Sequence, residues 1–420
     1  MLTFSWTDYP EKYDNLSHLQ ACNFSTPLPS PQNLKNNLFI EGDNYPSLLL
    51  LEQKYQSSID IIYIDPPYNT GNTFTYNDDF STSPEDSHSK WLSFMSRRLK
   101  IAQKLLSNSG CIFIAIGQEE LFHLKLLCDS IFGEENYIND FMWLHGKGKK
   151  DKWSRTLEQH TLCYAKNKKF LSPFADFETT SWAKTNSDED IRGNWFSGSI
   201  SFTEERSNKN HPNYYSIKSP SGKIWTRQWL IPQEKMTQLL QENKIFFGKA
   251  PEFDKVPRIK IFNGEKNQII PQNIITEVQS TRFAQKHLDE ILKAPKIFDN
   301  PKPVNLISHL ISITQMKKDA IILDFFAGSG TTFESVLEQN QIDGGNRKCI
   351  LIQKPETTFQ IKNGQKIPRK GSENAFLAGY NTISEICLKR IQKNIENLKN
   401  KTDFPVKPVT IEILKLIEKE

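Results

Sequence analysis

Residues 59–68, Ile59-Asp60-Ile61-Ile62-Tyr63-Ile64-Asp65-Pro66-Pro67-Tyr68, decide how this chain is to be read. The run 59–64 reads as a strand buried on both faces, the pattern of a parallel sheet. A rigid Asp-Pro-Pro turn at its carboxyl end sets polar atoms where open α/β sheets bind ligands. Taken alone, the same four residues also read as a strand terminator with a packed tyrosine.

The residue types suit one chemistry. An exocyclic aromatic amine is a poor nucleophile because its lone pair is delocalised into the ring. A site that accepts both N–H hydrogens draws the nitrogen toward tetrahedral geometry and frees that pair. The Asp65 carboxylate supplies one acceptor, and the Pro66 carbonyl, held by proline-locked φ, supplies the second. No strong base is needed, because the proton can leave after the new bond forms. Tyr68 offers a flat face for a base taken out of its duplex, an interaction worth roughly 1–3 kcal/mol.

A second element decides between site and terminator. Residues 320–332, AIILDFFAGSGTT, form another apolar strand ending in an acid, followed by a glycine-rich turn into the helical pattern FESVLEQN. Gly328 and Gly330 permit close backbone approach, and Asp324 ends the strand where a Rossmann-like sheet holds a nucleotide cofactor. A triphosphate loop is disfavoured, since Gly-Ser-Gly-Thr-Thr lacks the lysine of that motif.

DPPY ahead of FxGxG resembles the β-class amino-methyltransferases. The strings IDPPYNTGNTFTYNDDF (64–80), FDNPKP (298–303), DFFAGSGTT (324–332), GGNRKCILIQKPE (344–356) and AGYNTISEICLKRI (378–391) are similar to the modification (Mod) subunits of type III restriction–modification systems. The resemblance covers roughly 36–145 and 295–400, with only fragments such as HPNYYSIKSPSGKIW (211–225) between. It implies an α/β fold: a Rossmann-like S-adenosylmethionine-dependent methyltransferase sheet, circularly permuted with its catalytic half before its cofactor half. An irregular α+β target-recognition region is inserted between the halves. The resulting division is an N-terminal extension (1–35), catalytic half (36–145), target-recognition region (146–290), cofactor half (291–400) and C-terminal tail (401–420).

The element pattern agrees without the family. Strands NLFIEGD, the 59–64 run and GCIFIAIG alternate with helices PSLLLLEQKY, KWLSFMSRRLKIAQKLL and LFHLKLLCDSIF, and AIILDFF and KCILIQ flank a later helix. Each half leaves an open sheet edge that the other half would cover.

The resemblance implies catalytic roles for Asp65, Pro66, Pro67 and Tyr68. It implies S-adenosylmethionine contacts from Asp43, Asp65, Pro301, Lys302, Asp324, Phe325, Phe326, Ala327, Gly328, Ser329, Gly330, Thr331 and Gln353. Asp43 could equally be a helix N-cap. Pro301-Lys302-Pro303 without the resemblance is a stiff linker. Most cofactor sheets put an acid on the ribose hydroxyls at the end of a strand such as KCILIQ. Gln353 stands there with Glu356 three residues on, and either could serve.

Composition sets the outer bounds. The chain has 420 residues, 37% of them hydrophobic, with a mean hydropathy of -0.55, enough for a sheet plus an insertion. No stretch approaches the roughly 18 apolar residues of a membrane span, and MLTFSWTDYPEKYDN lacks a signal-peptide core, so the cytoplasm is the expected compartment. The six cysteines are scattered without ligand spacing and read as reduced core residues, so neither disulfides nor a metal is expected. Net charge is +4, unevenly spread: 141–270 carries 22 Lys+Arg against 14 Asp+Glu and six of the eight tryptophans. Basic residues interleaved with aromatics fit a surface that meets phosphates and bases, or in part a small separate core. HGKGKKDK (145–152) is a solvated run or a grip on the DNA backbone through Lys147, Lys149, Lys150 and Lys152. Trp143 either contacts the flipped base or packs in the core. Phe170–Asp190 reads as a mobile loop, and TIEILKLIEKE as a short amphipathic tail.

The resemblance therefore implies a site-specific methyltransferase acting on adenine N6 in double-stranded DNA by base flipping. A restriction subunit and a homodimer are implied partners, and no membrane is. N4-cytosine methylation uses the same amine logic, although the family more often has Ser in place of Asp65 there. A non-catalytic DNA-binding specificity subunit on the same fold is the more distant alternative.

Overall fold

The computed structural model describes residues 4–144 apart from 73, 77, 79 and 81–83, together with 153–179, 191–249, 252–262, 266–401 and 408–418. Two compact units emerge. The larger comprises Met1–Phe174 and Pro271–Glu420, and the smaller is Ala175–Ile270.

The larger unit is built on a ten-stranded sheet. Its strands are β1 (Cys22–Phe24), β2 (Asn37–Glu41), β3 (Ile59–Ile64), β4 (Leu106–Ile116), β5 (Tyr137–Leu144), β6 (Glu158–Ala165), β7 (Ile274–Ile275), β8 (Ile321–Asp324), β9 (Lys348–Gln353) and β10 (Ile411–Glu418). They run in the spatial order β1-β10-β2-β9-β8-β3-β4-β6-β5-β7. From β10 to β4 every pairing is parallel, and β6 then pairs antiparallel with both β4 and β5.

Side-chain alternation explains the continuous apolar runs. Ile62, Ile64, Ile112, Ile114, Leu323 and Ile350 face one layer, with α1 (Asn44–Tyr55), α2 (Pro84–Leu105) and α3 (Leu121–Phe132). Ile61, Tyr63, Phe113, Ile322 and Leu351 face the other, with α4 (Val304–Ile313), α5 (Thr331–Asp343) and α6 (Ile383–Lys401). With helices on both faces, neither set of alternating positions can be polar.

The early and late segments meet at β3 and β8, where Ile61 pairs with Ile322 and Ile62 with Leu323. Asp60, polar within an apolar run, accepts a 2.9 Å hydrogen bond from the Ile321 amide and fastens this joint. The DPPY strand thus precedes the glycine-turn strand in sequence and lies beside it in space. All six cysteines are buried free thiols.

Three stretches differ from their sequence reading. Residues 411–418, expected as a tail, form β10 between β1 and β2, with Leu414 fully buried. Two apolar neighbours and two open ladders recruit an alternating segment that no local signal assigns to a sheet. Residues 158–165, within the expected 146–290 region, pair with β4 and β5, so the smaller unit begins at Ala175. Of the expected loop 170–190, Asp176–Thr179 forms a strand paired with Lys266–Ile269, Phe174 packs against the core, and 180–190 lie outside the described residues.

The smaller unit is irregular α+β. It holds three short antiparallel sheets, the helix Gln233–Gln241, and a core of Ile200, Ile217, Trp229, Met236, Leu239, Ile245 and Phe247. Trp229 is buried in this core and Trp225 packs against it, so part of the tryptophan enrichment is structural.

Candidate active site

A cavity of about 520 Å³ is lined by residues at the carboxyl ends of β2, β9, β8 and β3, the position a parallel sheet reserves for ligands. Asp65 and Pro67 come from one turn, Asp324 to Ser329 and Thr331 from the other. Asp43, Pro301, Lys302, Gln353 and Glu356 complete the correspondence with the residues singled out in the sequence. Pro66, Tyr68 and Gly330 belong to the same turns but not to the cavity wall.

The Asp65 turn is tightly held. Tyr68 Oη donates to Asp65 Oδ1 at 2.8 Å, and Lys302 Nζ donates to Asp65 Oδ2 at 2.6 Å. The same ammonium lies 5.2 Å from the centroid of the Tyr68 ring. Burial, followed by the neighbouring Asp65 charge, keeps the Tyr68 phenol far above its ordinary range, so it acts only as a neutral donor. Trp91 Nε1 donates to the Pro67 carbonyl at 2.7 Å. No donor reaches the Pro66 carbonyl among the described residues. Beyond Tyr68, the Asp78 carboxylate accepts the Asn69 and Thr70 amides at 3.0 and 3.1 Å and folds the loop back.

The second turn has glycine where geometry demands it. Gly328 and Gly330 have φ of +52° and +83°, a region that side chains with a Cβ rarely adopt. Asp324 Oδ1 accepts from the Phe326 amide and Oδ2 from the Thr332 hydroxyl, closing the strand onto α5. Burial pushes the Asp324 carboxyl up to about 7, with the Asp65 charge adding to the rise and these two hydrogen bonds opposing it.

Asp43 is a helix cap that also faces the cavity. It caps α1, accepting from the Tyr45 amide at 3.0 Å, and its carboxylate also lines the cavity. Burial opposes its charge, but Arg98 and Lys354 hold its carboxyl below the usual value. Gln353 is committed to the glycine turn: its Oε1 accepts the Gly328 amide at 2.7 Å and its Nε2 donates to the Lys354 carbonyl. Glu356, nearby on the wall, is 3.6 Å from Arg369.

Several supporting residues carried no sequence signal. Arg98 is buried on α2, where it donates to Asn44 and pairs with Glu11 from the N-terminal segment. Asn44 in turn donates to the Phe325 carbonyl at 2.9 Å. Arg390, buried on α6, reaches Ser329 and Thr331 at 3.0 and 2.7 Å while pairing with Glu334. An arginine on an amphipathic helix reads as solvated face, and only the tertiary fold reveals its partner.

The nucleic-acid residues fare differently. Trp143 is 1% exposed, inside the core layer with Phe113 and Phe141. This corrects its reading as a base contact: a ring with no surface has no face on which to stack. Lys147, Lys149, Lys150 and Lys152 lie outside the described residues.

The comparisons agree with this geometry. The chain is 32% identical over 386 residues to the type III restriction-modification enzyme StyLTI Mod subunit of Salmonella typhimurium, covering 85% of this chain and 57% of that protein. It is 32% identical over 423 residues to the EcoPI Mod subunit of Escherichia phage P1, covering 85% and 62%. The chain thus spans about three fifths of the length of these Mod relatives. Against the type II methyltransferase M.KpnI of Klebsiella pneumoniae it is 29% identical over 411 residues, covering 91% and 92%. A family model described as DNA methylase matches residues 59–363, a span that begins at the DPPY strand and runs through the glycine turn to beyond Gln353; the chain belongs to that family, the N6_N4 DNA methylases.

Proposed function

We propose that this chain transfers a methyl group from S-adenosylmethionine to the N6 amine of an adenine flipped out of duplex DNA. The observation that carries the reading is the meeting of the Asp65 turn and the 324–331 turn at one cavity. The lining suits a cofactor bearing charges of both signs, with carboxylates from Glu11, Asp43, Asp65, Asp324 and Glu356 and cations from Arg98, Lys302, Lys354 and Arg369. Once bound, S-adenosylmethionine supplies a methyl group activated on a sulfonium.

The chain's own residues do the rest. Asp65 Oδ1 and the Pro66 carbonyl accept the two amine hydrogens, localising the nitrogen lone pair, and Tyr68 stacks on the extruded base. Catalysis is then chiefly positioning and charge complementarity. Gly328 and Gly330 let the backbone approach the cofactor. Gln353 is occupied in bracing that turn, and Glu356, also on the cavity wall, is assigned to accept the ribose hydroxyls. The order of the two motifs supports a circularly permuted sheet, and 146–290, with its folded unit Ala175–Ile270, is the candidate for target recognition through the DNA major groove. Lys147, Lys149, Lys150 and Lys152 are assigned to the DNA backbone.

The names of the Mod relatives support a modification role in a type III restriction–modification system; a restriction subunit is the proposed partner and a homodimer the proposed assembly. The cytoplasm is the proposed compartment; among the described residues no helix is long and apolar enough to cross a membrane. The test is single-molecule sequencing of DNA from a methylation-free host expressing this chain or its Asp65→Ala variant. N6-methyladenine at one recurring sequence, lost in the variant, is expected. N4-methylcytosine would overturn the choice of base, and unmodified DNA the activity.

A further inference from the structure

His88, Glu120 and His123 converge beside the Asp65 turn although 32 residues separate the first two. His88 lies near the start of α2, Glu120 caps α3, and His123 sits in the first turn of α3. His88 Nδ1 is 2.7 Å from Glu120 Oε1, and His123 Nδ1 is 2.9 Å from Glu120 Oε2. The three donor atoms all lie within 4.8 Å of one another.

The carboxylate is the unusual partner. The Glu120 side chain is 0% exposed, whereas those of His88 and His123 are 52% and 39% exposed. Among the described residues no lysine or arginine pairs with Glu120, which receives one further hydrogen bond, from Asn69 Nδ2 at 2.6 Å. A fully buried carboxylate calls for a positive partner.

We infer that this cluster binds a divalent first-row transition cation, with His88, Glu120 and His123 as its three protein ligands. Two imidazole nitrogens and a carboxylate oxygen form a donor set suited to Zn2+ and its neighbours, not to Mg2+ or Ca2+, which take oxygen ligands. Glu120 and His123 present the Glu-x-x-His spacing by which one helix offers two ligands to a metal. Metal–donor distances near 2.1 Å place tetrahedral donors about 3.4 Å apart, so the site needs only a slight opening. The exposed edges of the imidazoles leave the fourth position to solvent. Ser87 Oγ donates to Asn69 Oδ1 at 2.8 Å, so Glu120 is oriented by a chain of supports as metal-ligating carboxylates commonly are. Because Asn69 follows Tyr68 directly, the bound cation stiffens the loop that carries the proposed base-stacking ring.

The test uses untagged full-length chain stripped with a chelator, titrated calorimetrically with Zn2+ and, in parallel, with Co2+ while its visible d–d absorption is followed. One equivalent of Zn2+ should bind, raising the melting temperature, and Co2+ should give the intense absorption of a four-coordinate site. His88→Ala and His123→Ala change partly exposed side chains, and melting without metal verifies their folding. Each should weaken Zn2+ binding at least tenfold, and the double variant should abolish both the thermal shift and the Co2+ band. Equal binding by wild type and the double variant would place the metal elsewhere and overturn the site. So would absence of binding to the wild type at micromolar Zn2+. Neither outcome depends on methyl transfer.

Discussion

Lys302 Nζ lies 2.6 Å from Asp65 Oδ2, joining residues 237 apart in sequence across the meeting point of the two sheet segments. Lys302 is only 8% exposed and has its carboxylate partner at the cavity, so it holds Asp65 in one orientation. The hydroxyl of Tyr68 occupies the other oxygen. An amine directed at Oδ1 meets the tyrosine hydroxyl there, the donor that can leave without breaking an ion pair.

Lys302→Met keeps the apolar stem and removes the charge. Loss of one charge-assisted hydrogen bond to a carboxylate that is about a quarter exposed should cost about 1 kcal/mol of stability. Loss of Asp65 orientation should cost more in rate, about 10–100-fold in kcat, because small misplacements of a reacting geometry are expensive. Urea unfolding and single-turnover methylation separate the two. An unchanged kcat would show that Lys302 does not position Asp65.

Tyr68→Phe and Tyr68→Ala divide the roles of ring and hydroxyl. If the hydroxyl must leave Asp65 Oδ1 before the amine binds, its removal costs no transition-state contact, and Tyr68→Phe should stay within about threefold of wild type. Tyr68→Ala removes the stacking face, worth roughly 1–3 kcal/mol, and should lower kcat/KM by about 10–100-fold. Equal losses in both variants would assign the function to the hydroxyl instead.

These relationships mark what the sequence could and could not convey. The runs 59–64 and 321–324 were legible because burial on both faces leaves no polar position to blur a strand, and each ends in chemistry rather than in a neutral turn. Asp65, Asp324 and the two glycines followed from those ends. Arg98, Asn44 and Arg390 did not, since each acts through one tertiary contact that leaves no periodic trace. Trp143 stayed open between base contact and core because basic and aromatic neighbours look alike whether a ring faces solvent or the core. His88 and Glu120 come from different helices, so no local spacing announced their approach.

Gly330 tests whether the cofactor turn is conformationally constrained. Its φ of +83° is costly for any side chain, and a Cβ there would lie 3.1 Å from Cys387 Sγ on α6. Gly330→Ala should lose about 1–2 kcal/mol from the backbone alone, visible as a lower urea midpoint. Gly344, also at positive φ but with open space around its Cβ position, is the control. Gly344→Ala should lose a similar backbone amount, yet only Gly330→Ala should weaken S-adenosylmethionine binding measured by calorimetry. Matching affinities would detach residue 330 from the site.

Asp324 gives the molecule a pH dependence of definite sign. Its carboxyl, pushed up to about 7 chiefly by burial, stays protonated in the folded chain where an unfolded aspartate, near 3.8, has already ionised. The folded state therefore binds the extra proton between these values. Stability from this group is fully present below about pH 4, declines as pH rises toward 7, and levels off above it. Asn is close in shape to the protonated acid, so Asp324→Asn should match wild type below about pH 4 and exceed it increasingly from there to pH 8 in urea unfolding. The proposed cofactor reverses the preference, because a sulfonium in the cavity favours the ionised carboxylate. Wild-type affinity should thus rise through pH 7 with release of a proton, seen as a buffer-dependent binding enthalpy, while Asp324→Asn binds with little pH dependence. A variant less stable than wild type at pH 8 would mean that the buried carboxylate is ionised and compensated after all, and both linked effects would disappear together.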